Sequence, residues 1–588
     1  MRKKFTLPMT VTSLLLGAVI LTACATTTAT DATDASASSS SAITDVDATL
    51  TAEAVLAANE NATTTNDDEW SMDSAVEISL DGDTATSDSD DVTVDGSTVT
   101  ITAAGTYVLS GTLDDGQVVV DTTDDGVVAL VLDGADISST TGTAITFTSA
   151  TNAVVSLAAG SENTLSDASS YADTADANAA LYADTDLTIT GSGSLTVNGN
   201  GNDGITSTDD LVILSGSITV TAADDGLRGK DSVTVEDGDI TVTSGGDGLK
   251  SDNDEDLTRG YIDIEGGTVD VTSAGDGISA ETDLVITGGS VTVAAGGGAS
   301  EEVTDTSTKG LKGGTYVIVE GGTIDVDSSD DAIHTNGAAH LGGDADIALA
   351  TGDDGVHADT ALLIDGGDVT VSDSYEGLES ASITLAGGTV DVTASDDGIN
   401  ASSGTSTTEG AGGGGMEESG GSEMISITGG DTTIHADGDG FDSNGSAGVS
   451  GGTLTVFGPT NDGNGALDVN GTLEVSGGTV IAVGSSGMAV SPSDDSSQGF
   501  FAATASGDAG SKVEIQDADG AVIASFTSEK QFSSVVFSSS ELVADAEYTV
   551  VGDGVDAGTA TEGVASTGGM GGGGGGGQMP GGNTPPAR

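Results

Sequence analysis

The sequence predicts an all-β protein: a right-handed parallel β-helix, built as a three-sided solenoid of about 22 residues per coil, with a small C-terminal β unit. Three observations predict it. A short Asp-Gly phrase recurs at a constant interval, each interval holds two further strand-like runs, and the composition suits turns and β-branched strands. Of 588 residues, 91 are Gly and only 6 are Pro, and aromatics make up 3%, too few for an aromatic-rich globular core.

The repeated phrase is Asp-Gly followed by Leu, Ile, Val or Phe. From Asp203 to Asp225 to Asp247 each step is 22 residues. The phrase and its variants begin at Asp203, Asp225, Asp247, Asp276, Lys309, Asp331, Asp354, Glu376, Asp397 and Asp439. A constant period in this range indicates stacked units. An antiparallel sandwich also has short strands, but it does not predict that the same phrase recurs at the same position of every repeat.

Each coil contains two more short strands, for example Leu211-Val212-Ile213 and Ile218-Thr219-Val220. Alternation directs one set of side chains inward. Three strands per coil, with coils about 4.8 Å apart, would form a parallel sheet along each side. Right-handed winding is the default for such connections.

The composition along the chain divides it into five segments. These are a lipoprotein signal at 1–24, a flexible tether rich in Ala, Ser, Thr and Asp at 25–72, the β-helix at 73–490, a small β unit capping the last coil at 491–562, and a disordered Gly-rich tail at 563–588. Longer steps between phrases place insertions at 252–258, 296–308 and 404–421.

The N-terminus has the features of a targeting segment. Arg2-Lys3-Lys4 precede an apolar run that ends in Leu21-Thr22-Ala23-Cys24. This ending resembles the lipobox of bacterial lipoproteins, which implies cleavage before Cys24 and its lipidation. The protein would then be anchored by lipid on the extracellular face of the bacterial cell membrane, with no other membrane contact. The alternative is an ordinary signal peptide; Cys24 is the only cysteine, so no disulfide framework exists.

The charge balance excludes some partners and favours others. The net charge is −83, from 12 Lys and Arg against 95 Asp and Glu. Such acidity opposes nucleic-acid binding and favours cations, above all calcium. It also fits an acidic surface that keeps a secreted protein soluble, and the two interpretations are compatible.

The acids of the phrase would form a column of carboxylates about 4.8 Å apart, repelling by roughly 3.5 kcal/mol at an effective dielectric of 20. Three compensations remain open: hydrogen bonds from turn amides, protonation, or calcium bridging successive coils. The candidate calcium ligands are Asp224, Asp225, Asp247, Asp276, Asp330, Asp331, Asp353, Asp354, Asp396 and Asp397.

A second column lies three residues after each phrase begins, and alternation points it outward. It gathers an unusual share of the few bases in the chain. With one neighbour, Lys230, the candidate carbohydrate-binding residues are Arg228, Lys230, Lys250, Lys312, His334 and His357. They would form a cationic track for an acidic polysaccharide, ending at Glu379, or they would neutralise the adjacent Asp column. Both interpretations remain open.

Several phrases resemble a known family. Asp225-Gly226-Leu227-Arg228-Gly229-Lys230-Asp231 and Asp353-Asp354-Gly355-Val356-His357-Ala358-Asp359 are similar to those of bacterial carbohydrate-binding domain-containing proteins with a calcium-binding, pectate-lyase-like right-handed β-helix. The resemblance runs from about 90 to 550. It implies that the 73–490 segment binds a plant-type polysaccharide, either polygalacturonate-like or cellulosic, with calcium and without demonstrated cleavage. Separately, we expect the protein to be a monomer.

Three functions therefore compete. The first is a surface-anchored polysaccharide-binding protein that is not an enzyme. The second is a calcium-dependent pectate-type lyase, in which a base such as Arg228 or Lys230 would remove a proton acidified by calcium. The third is a structural adhesin or spacer. A similar fold is only an analogy for function, and no residue cluster is specific for catalysis.

Overall fold

The computed structural model describes residues 46–172, 174–304, 306–403 and 421–564. All of them belong to one compact unit, residues 42–588. The predicted signal with Cys24, most of the 404–421 insertion and the tail from 565 onward lie outside the described residues. Among the described residues no helix is long and apolar enough to cross a bilayer.

The described chain is nearly all β, and most of its strands fall into three parallel ladders. In each coil, one strand joins each ladder and pairs in register with the equivalent strand of the next coil. The first and second ladders belong to one 32-stranded sheet, and the third is a 16-stranded sheet. This confirms the predicted all-β class with large parallel sheets.

The first ladder contains the apolar-x-apolar strands. They are Asn152–Leu157, Leu187–Gly191, Asp210–Ile213, Ser232–Val235, Tyr261–Ile264, Asp283–Ile286, Tyr316–Val319, Ala338–Leu341, Ala361–Ile364, Ser382–Leu385, Met424–Ile427, Ser446–Val449 and Leu473–Val475.

The second ladder contains the strands that follow a glycine turn. They are Glu162–Ser166, Ser194–Gly199, Ser217–Ala222, Asp239–Ser244, Thr268–Ser273, Ser290–Ala295, Thr323–Ser328, Asp346–Thr351, Asp368–Asp373, Thr389–Ala394, Asp431–Ala436, Thr453–Phe457 and Thr479–Gly484.

The third ladder carries the Asp-Gly phrases. Its parallel strands are Thr98–Ile101, Gln117–Asp121, Ile145–Ser149, Ala179–Ala183, Asp203–Ser207, Leu227–Gly229, Leu249–Ser251, Ile278–Ala280, Leu311–Gly313, Ile333–Thr335, Val356–Ala358, Leu378–Ser380, Ile399–Ala401, Phe441–Ser443 and Leu467–Val469. Val92–Asp95 joins the first of them in antiparallel sense.

At both ends the ladders change. Val76–Gly82, Gly105–Leu113 and Val127–Ser138 are long strands at the beginning of the 32-stranded sheet, and Ala85–Thr86 pairs with the first of them. After the last coil, Phe500–Gly507 and Phe532–Ser538 continue the second ladder in antiparallel sense. A separate four-stranded sheet contains Val522–Thr527, Lys512–Gln516, Glu547–Gly552 and Val555–Thr561.

Strand alternation builds the core. In Ser217–Ala222 the residues alternate exposed and buried, so Ile218 and Val220 point inward and Thr219 points to solvent. The inward residues of all three ladders join one continuous hydrophobic cluster. Burying a Val or Ile side chain contributes about 1.5–3 kcal/mol. The core is thus assembled from similar small increments, coil by coil.

Residues 46–72, here called the strap, correct the prediction of a flexible tether for that part of the 25–72 segment; residues 25–45 lie outside the described residues. The strap contains a short α-helix, Ala52–Leu56. A 3-10 turn, Met72–Ser74, begins at the last residue of the strap. The side chain of Thr51 caps the helix by accepting from the Ala54 amide. Ala52 and Val55 pack against Val285 and Ile318.

The strap follows the first ladder by polar contacts as well. The Leu50 carbonyl meets His340 Nδ1 at 3.0 Å, and the Thr65 amide donates to Thr188 Oγ1 at 3.1 Å. Val285 and Ile318 stand at outward positions, yet they are fully buried. Their strands are apolar on both faces, a pattern typical of strands covered on both sides. The apolar outward residues of these strands, and not the composition of the strap, could have predicted that a segment covers the first ladder.

Val55→Asp should release the strap. The new carboxylate would lose water and gain no partner among Val285 and Ile318, at a cost of about 3 kcal/mol. Limited proteolysis should then cut between 46 and 72 much faster than in the wild type, while the far-ultraviolet circular dichroism of the ladders is kept. Glu53→Gln, on the exposed side of the same helix, is the control. Equal cutting rates in all three proteins would contradict the packing.

Asp263 lies in the first ladder between Thr234 and Val285, and it is buried with no hydrogen-bond partner for Oδ1. Burial, with the charges of Glu265 and Glu236, raises the pKa of Asp263 to about 7. The folded state therefore holds this proton where the unfolded state, with a pKa of about 3.9, has lost it. The associated stability is present at low pH and is lost as pH rises through 7.

Asp263→Asn should accordingly reduce the loss of thermal stability between pH 5 and pH 8. Asparagine keeps the shape but does not titrate, so the melting temperature of the variant should fall less over this interval. Scanning calorimetry at several pH values measures the slopes. Asp239→Asn, at an exposed strand position, should keep the wild-type slope. If Asp263→Asn also keeps it, the buried carboxyl does not contribute.

Candidate functional site: the third ladder

The third ladder brings the predicted outward column into register. We call this the outer column. Each member is the Cα partner of the next, coil by coil. Its residues are Thr206, Arg228, Lys250, Ser279, Lys312, His334, His357, Glu379, Asn400, Asp442 and Asp468. Sequence periodicity alone was sufficient to predict this alignment.

The acids that open the phrases form the Asp column, and most of them accept a backbone amide of the following coil at Oδ1. The Asp247 amide donates to Asp225 Oδ1 at 2.9 Å, and the Asp276 amide donates to Asp247 Oδ1 at 2.9 Å. The Lys309 amide donates to Asp276 Oδ1 at 2.8 Å. Turn amides therefore provide one of the three compensations that the sequence left open.

Side chains of the outer column contact the second oxygen, Oδ2, of acids in the Asp column. Lys250 Nζ lies 3.0 Å from both Asp225 Oδ2 and Asp247 Oδ2. Lys312 Nζ lies 2.7 Å from Asp276 Oδ2. At Asp203, where no base is present, Thr206 Oγ1 donates to Oδ2 at 3.0 Å.

The two histidines of the outer column follow the same rule. His334 Nδ1 lies 2.7 Å from Asp331 Oδ2, and His357 Nδ1 lies 2.9 Å from Asp354 Oδ2. Their rings stack with centroids 5.2 Å apart. Burial opposes the charge of His357, but hydrogen bonds to Asp354, Asp359 and Glu379 outweigh it and raise its pKa well above the usual range. These three carboxylate contacts favour the protonated form of His357.

Of the six predicted carbohydrate-binding residues, five contact a carboxylate of the protein. Arg228 is the fifth, with Nε and Nη2 on the carboxylate of Asp252, in the predicted 252–258 insertion. Within the described chain, Lys230 has no carboxylate within 4.0 Å. The geometry thus supports neutralisation of the Asp column by these bases, and it leaves Lys230 as the cation most available to a ligand.

Three groups of side chains have ligand atoms within 4.8 Å of one another. They are Asp330, Asp331 and Asp353; Asp331, Asp354 and His357; and Asp354, Glu376 and Glu379. Four of the ten predicted calcium ligands are thereby brought together. The other six belong to no such group in the described ranges: Asp224, Asp225, Asp247, Asp276, Asp396 and Asp397. In Asp225, Asp247 and Asp276, Oδ1 already accepts an amide and Oδ2 already contacts a lysine.

Lys309 was absent from the predicted site, although it is central to it. Its Nζ lies 2.8 Å from Asp330 Oδ1 and 2.8 Å from Asp331 Oδ2. Lys309 takes the place of Asp in its own phrase, and this replacement was the signal in the sequence. Glu376 and Glu379 already belonged to the two columns that the sequence predicts, but neither was among the predicted calcium ligands.

Tyr375 is a further residue that sequence reasoning missed. The residue is 48% exposed, and among the described residues it is the one aromatic residue in the exposed class. It stands immediately before Glu376, at the position that Asp353 and Asp396 occupy in the neighbouring coils. A hydrogen bond to Asp396 raises the pKa of Tyr375 to about 12. An exposed ring beside a polar cluster is a common contact surface for ligands.

The fold and site together define an all-β repeat protein whose stacked coils align an acidic column with a column of bases. Residues 95–355 match the family model described as Carbohydrate-binding domain-containing protein. A curated protein with that same description, from Acetivibrio thermocellus (strain ATCC 27405), is 40% identical over 150 residues. The match covers 25% of this chain and 52% of that protein, so the chain spans about half the length of the relative.

One solved structure is also similar. It is described as the polysaccharide lyase-like protein from C. thermocellum, gadolinium derivative. It is 36% identical, and the match covers 42% of this chain and 99% of the other. The TM-score is 0.39, which does not establish a common fold.

Proposed function

We propose that this protein binds an acidic, polygalacturonate-like polysaccharide, or cellulose, along the third-ladder face of a right-handed β-helix, with calcium as a bridging ion. One observation carries the proposal: the 95–355 segment that matches the carbohydrate-binding family model contains most of the outer column. It also contains Lys230 and the Asp330, Asp331 and Asp353 group. Lipid on Cys24 would hold the protein on the extracellular face of the cell membrane.

The residues fit calcium in kind. Asp330, Asp331 and Asp353 offer carboxylate oxygens only, which are the ligands calcium prefers. The Lys309 ammonium already contacts two of these acids, so calcium would compete with it there. A uronate chain would supply further carboxylates, and calcium would neutralise both partners at once. This explains how so acidic a protein could bind an acidic polymer.

Lys230 and Tyr375 would contact the polymer directly. Lys230 has no carboxylate within 4.0 Å in the described chain, so its charge is available, whereas the paired bases would have to give up an ion pair. The Tyr375 ring would pack against a sugar face. Both lie at the third ladder, on either side of the Asp330, Asp331 and Asp353 group along the coils.

Retention on polymer tests the proposal. The full-length protein is passed over immobilised polygalacturonate, or mixed with insoluble cellulose, with calcium and with a chelator. Absorbance of unsaturated product is followed in the same samples. Retention without new absorbance supports binding, and new absorbance indicates a lyase instead. If the protein is not retained and no absorbance appears, a structural spacer is the remaining function. Tyr375→Ala and Lys230→Gln should weaken retention, while Tyr375→Phe and the distant Lys512→Gln should not.

A further inference from the structure

His340 lies in the first ladder at an outward position that the strap covers. Its Cα partners are Ile318 in the preceding coil and Leu363 in the following one. The His340 side chain is only 5% exposed. This histidine is therefore enclosed by two apolar neighbours along the ladder and by the strap, whose Leu50 carbonyl contacts the ring.

Both ring nitrogens of His340 meet oxygen atoms. Nδ1 lies 3.0 Å from the Leu50 carbonyl oxygen, and Nε2 lies 3.0 Å from Asp365 Oδ1. A carbonyl oxygen and an ionised carboxylate oxygen only accept hydrogen bonds, so each nitrogen must donate to form a bond. A neutral imidazole has one N–H group, and an imidazolium has two. Only the protonated ring can therefore make both bonds at once.

The charged groups around His340 favour the protonated ring as well. Glu320 Oε1 lies 3.9 Å from Nδ1, on the side of the strap. Asp365, whose side chain is 44% exposed, is the carboxylate at Nε2. The strap adds two exposed acids on either side of its contact with the ring, Asp47 and Glu53. All four groups are acids, so none of them opposes the charge of the imidazolium.

A buried acid beside the strap acts in the same direction. Asn59 of the strap donates from Nδ2 to Asp283 Oδ2 at 2.9 Å, and Asp283 Oδ1 is buried with no hydrogen-bond partner among the described residues. Burial raises the pKa of Asp283 to about 6. The attached strap thus favours the protonated acid at pH values where an exposed Asp, with a pKa of about 3.9, has lost its proton. This contribution to attachment is present at low pH and falls as pH rises from about 4 to 6.

We propose that His340 makes the attachment of the strap depend on pH, because the ring fastens the strap fully only when it carries a second proton. At mildly acidic pH the imidazolium donates to Leu50 and to Asp365 together. When that proton is lost, one nitrogen presents a lone pair to an oxygen, and one of the two bonds is broken. Histidine changes its charge between about pH 5 and 8, so the strap should loosen as pH rises through this range. Loosening would expose the apolar side chains of Val285 and Ile318.

Hydrogen exchange of the strap in the full-length protein tests the proposal, and it does not depend on polysaccharide binding. Exchange is measured by mass spectrometry at pH 6 and at pH 8, and it is corrected for the intrinsic effect of pH on amide exchange. Protection of the helix Ala52–Leu56 should fall several-fold between the two pH values, within the limit of about tenfold per pH unit for one proton. Equal protection at both pH values would overturn the proposal.

Variants at His340 and Asp365 separate this effect from other consequences of pH. In His340→Gln the side chain can donate to Leu50 but does not titrate, so most of the fall in protection between pH 6 and pH 8 should disappear. In Asp365→Asn the new amide can donate to Nε2 of the neutral ring while Nδ1 keeps its bond to Leu50. Protection at pH 8 should then exceed that of the wild type.

Glu60→Gln is the matched control. It removes an exposed ion pair between the strap and Arg259, so it should weaken attachment by a similar factor at both pH values and keep the wild-type ratio. The proposal is also overturned if His340→Gln keeps the full wild-type fall, or if Asp365→Asn loses protection as steeply as the wild type does.

Discussion

Gly248→Ala should lower the free energy of unfolding by about 3 kcal/mol. Gly248 is the glycine of an Asp-Gly phrase, and its Cα faces the next coil. An added Cβ would overlap Val271 Cγ1 and would lie 2.5 Å from the Gly277 carbonyl oxygen. Interiors are close-packed, so the coils would have to separate locally. Thermal unfolding followed by circular dichroism measures the loss.

Gly448→Ala is the matched control for this prediction. It also lies in a ladder strand, but an added Cβ would meet nothing closer than the Glu474 carbonyl oxygen at 4.0 Å. Stability should stay unchanged or rise by up to about 1 kcal/mol, because glycine is costly in a strand. Equal losses in the two variants would show that close coil contact is not the reason for glycine in the phrase.

Lys309→Met should cost about 3 kcal/mol, because it leaves Asp330 and Asp331 without their ammonium partner. The side chain of Lys309 is 15% exposed and that of Asp331 is 6% exposed, so water screens the pair little. Methionine keeps most of the aliphatic stem, which separates the charge effect from packing. The variant should also recover more stability on addition of calcium than the wild type does, since the acids are then free to take the ion.

Lys512→Met provides the comparison for a surface pair. Lys512 is 62% exposed and contacts Glu514 at 2.8 Å, and exposed pairs contribute about 0–1 kcal/mol. A similar loss for Lys309→Met and Lys512→Met would contradict the role of Lys309. An equal calcium response in wild type and Lys309→Met would argue against calcium at Asp330 and Asp331.

The ladders and both columns could be predicted because the period is constant. Once coils repeat in phase, residues one period apart must lie side by side, as Arg228 and Lys250 do. What each side chain contacts could not be predicted in the same way. Arg228 pairs with Asp252 in an insertion, and Lys309 reaches acids in the following coil. Those partners depend on the path of coils of unequal length.

The strap shows the other limit. Its composition is that of a flexible segment, and it is held by contacts more than one hundred residues away in sequence, such as those of Thr65 with Thr188 and of Leu50 with His340. Local sequence carries no information about such partners. The sequence nevertheless indicated that some segment covers this face of the first ladder, because the outward residues Val285 and Ile318 are apolar.

The sequence by itself determined the all-β class, the coil period, the alignment of the Asp and outer columns, and the excess of negative charge. Only the tertiary structure decided that most of the predicted sugar-binding cations neutralise the Asp column, and that the strap covers the first ladder. The physical reason is that periodicity sets which residues are neighbours. Whether a base contacts a neighbouring carboxylate depends on burial and on the groups that already donate hydrogen bonds to each carboxylate oxygen.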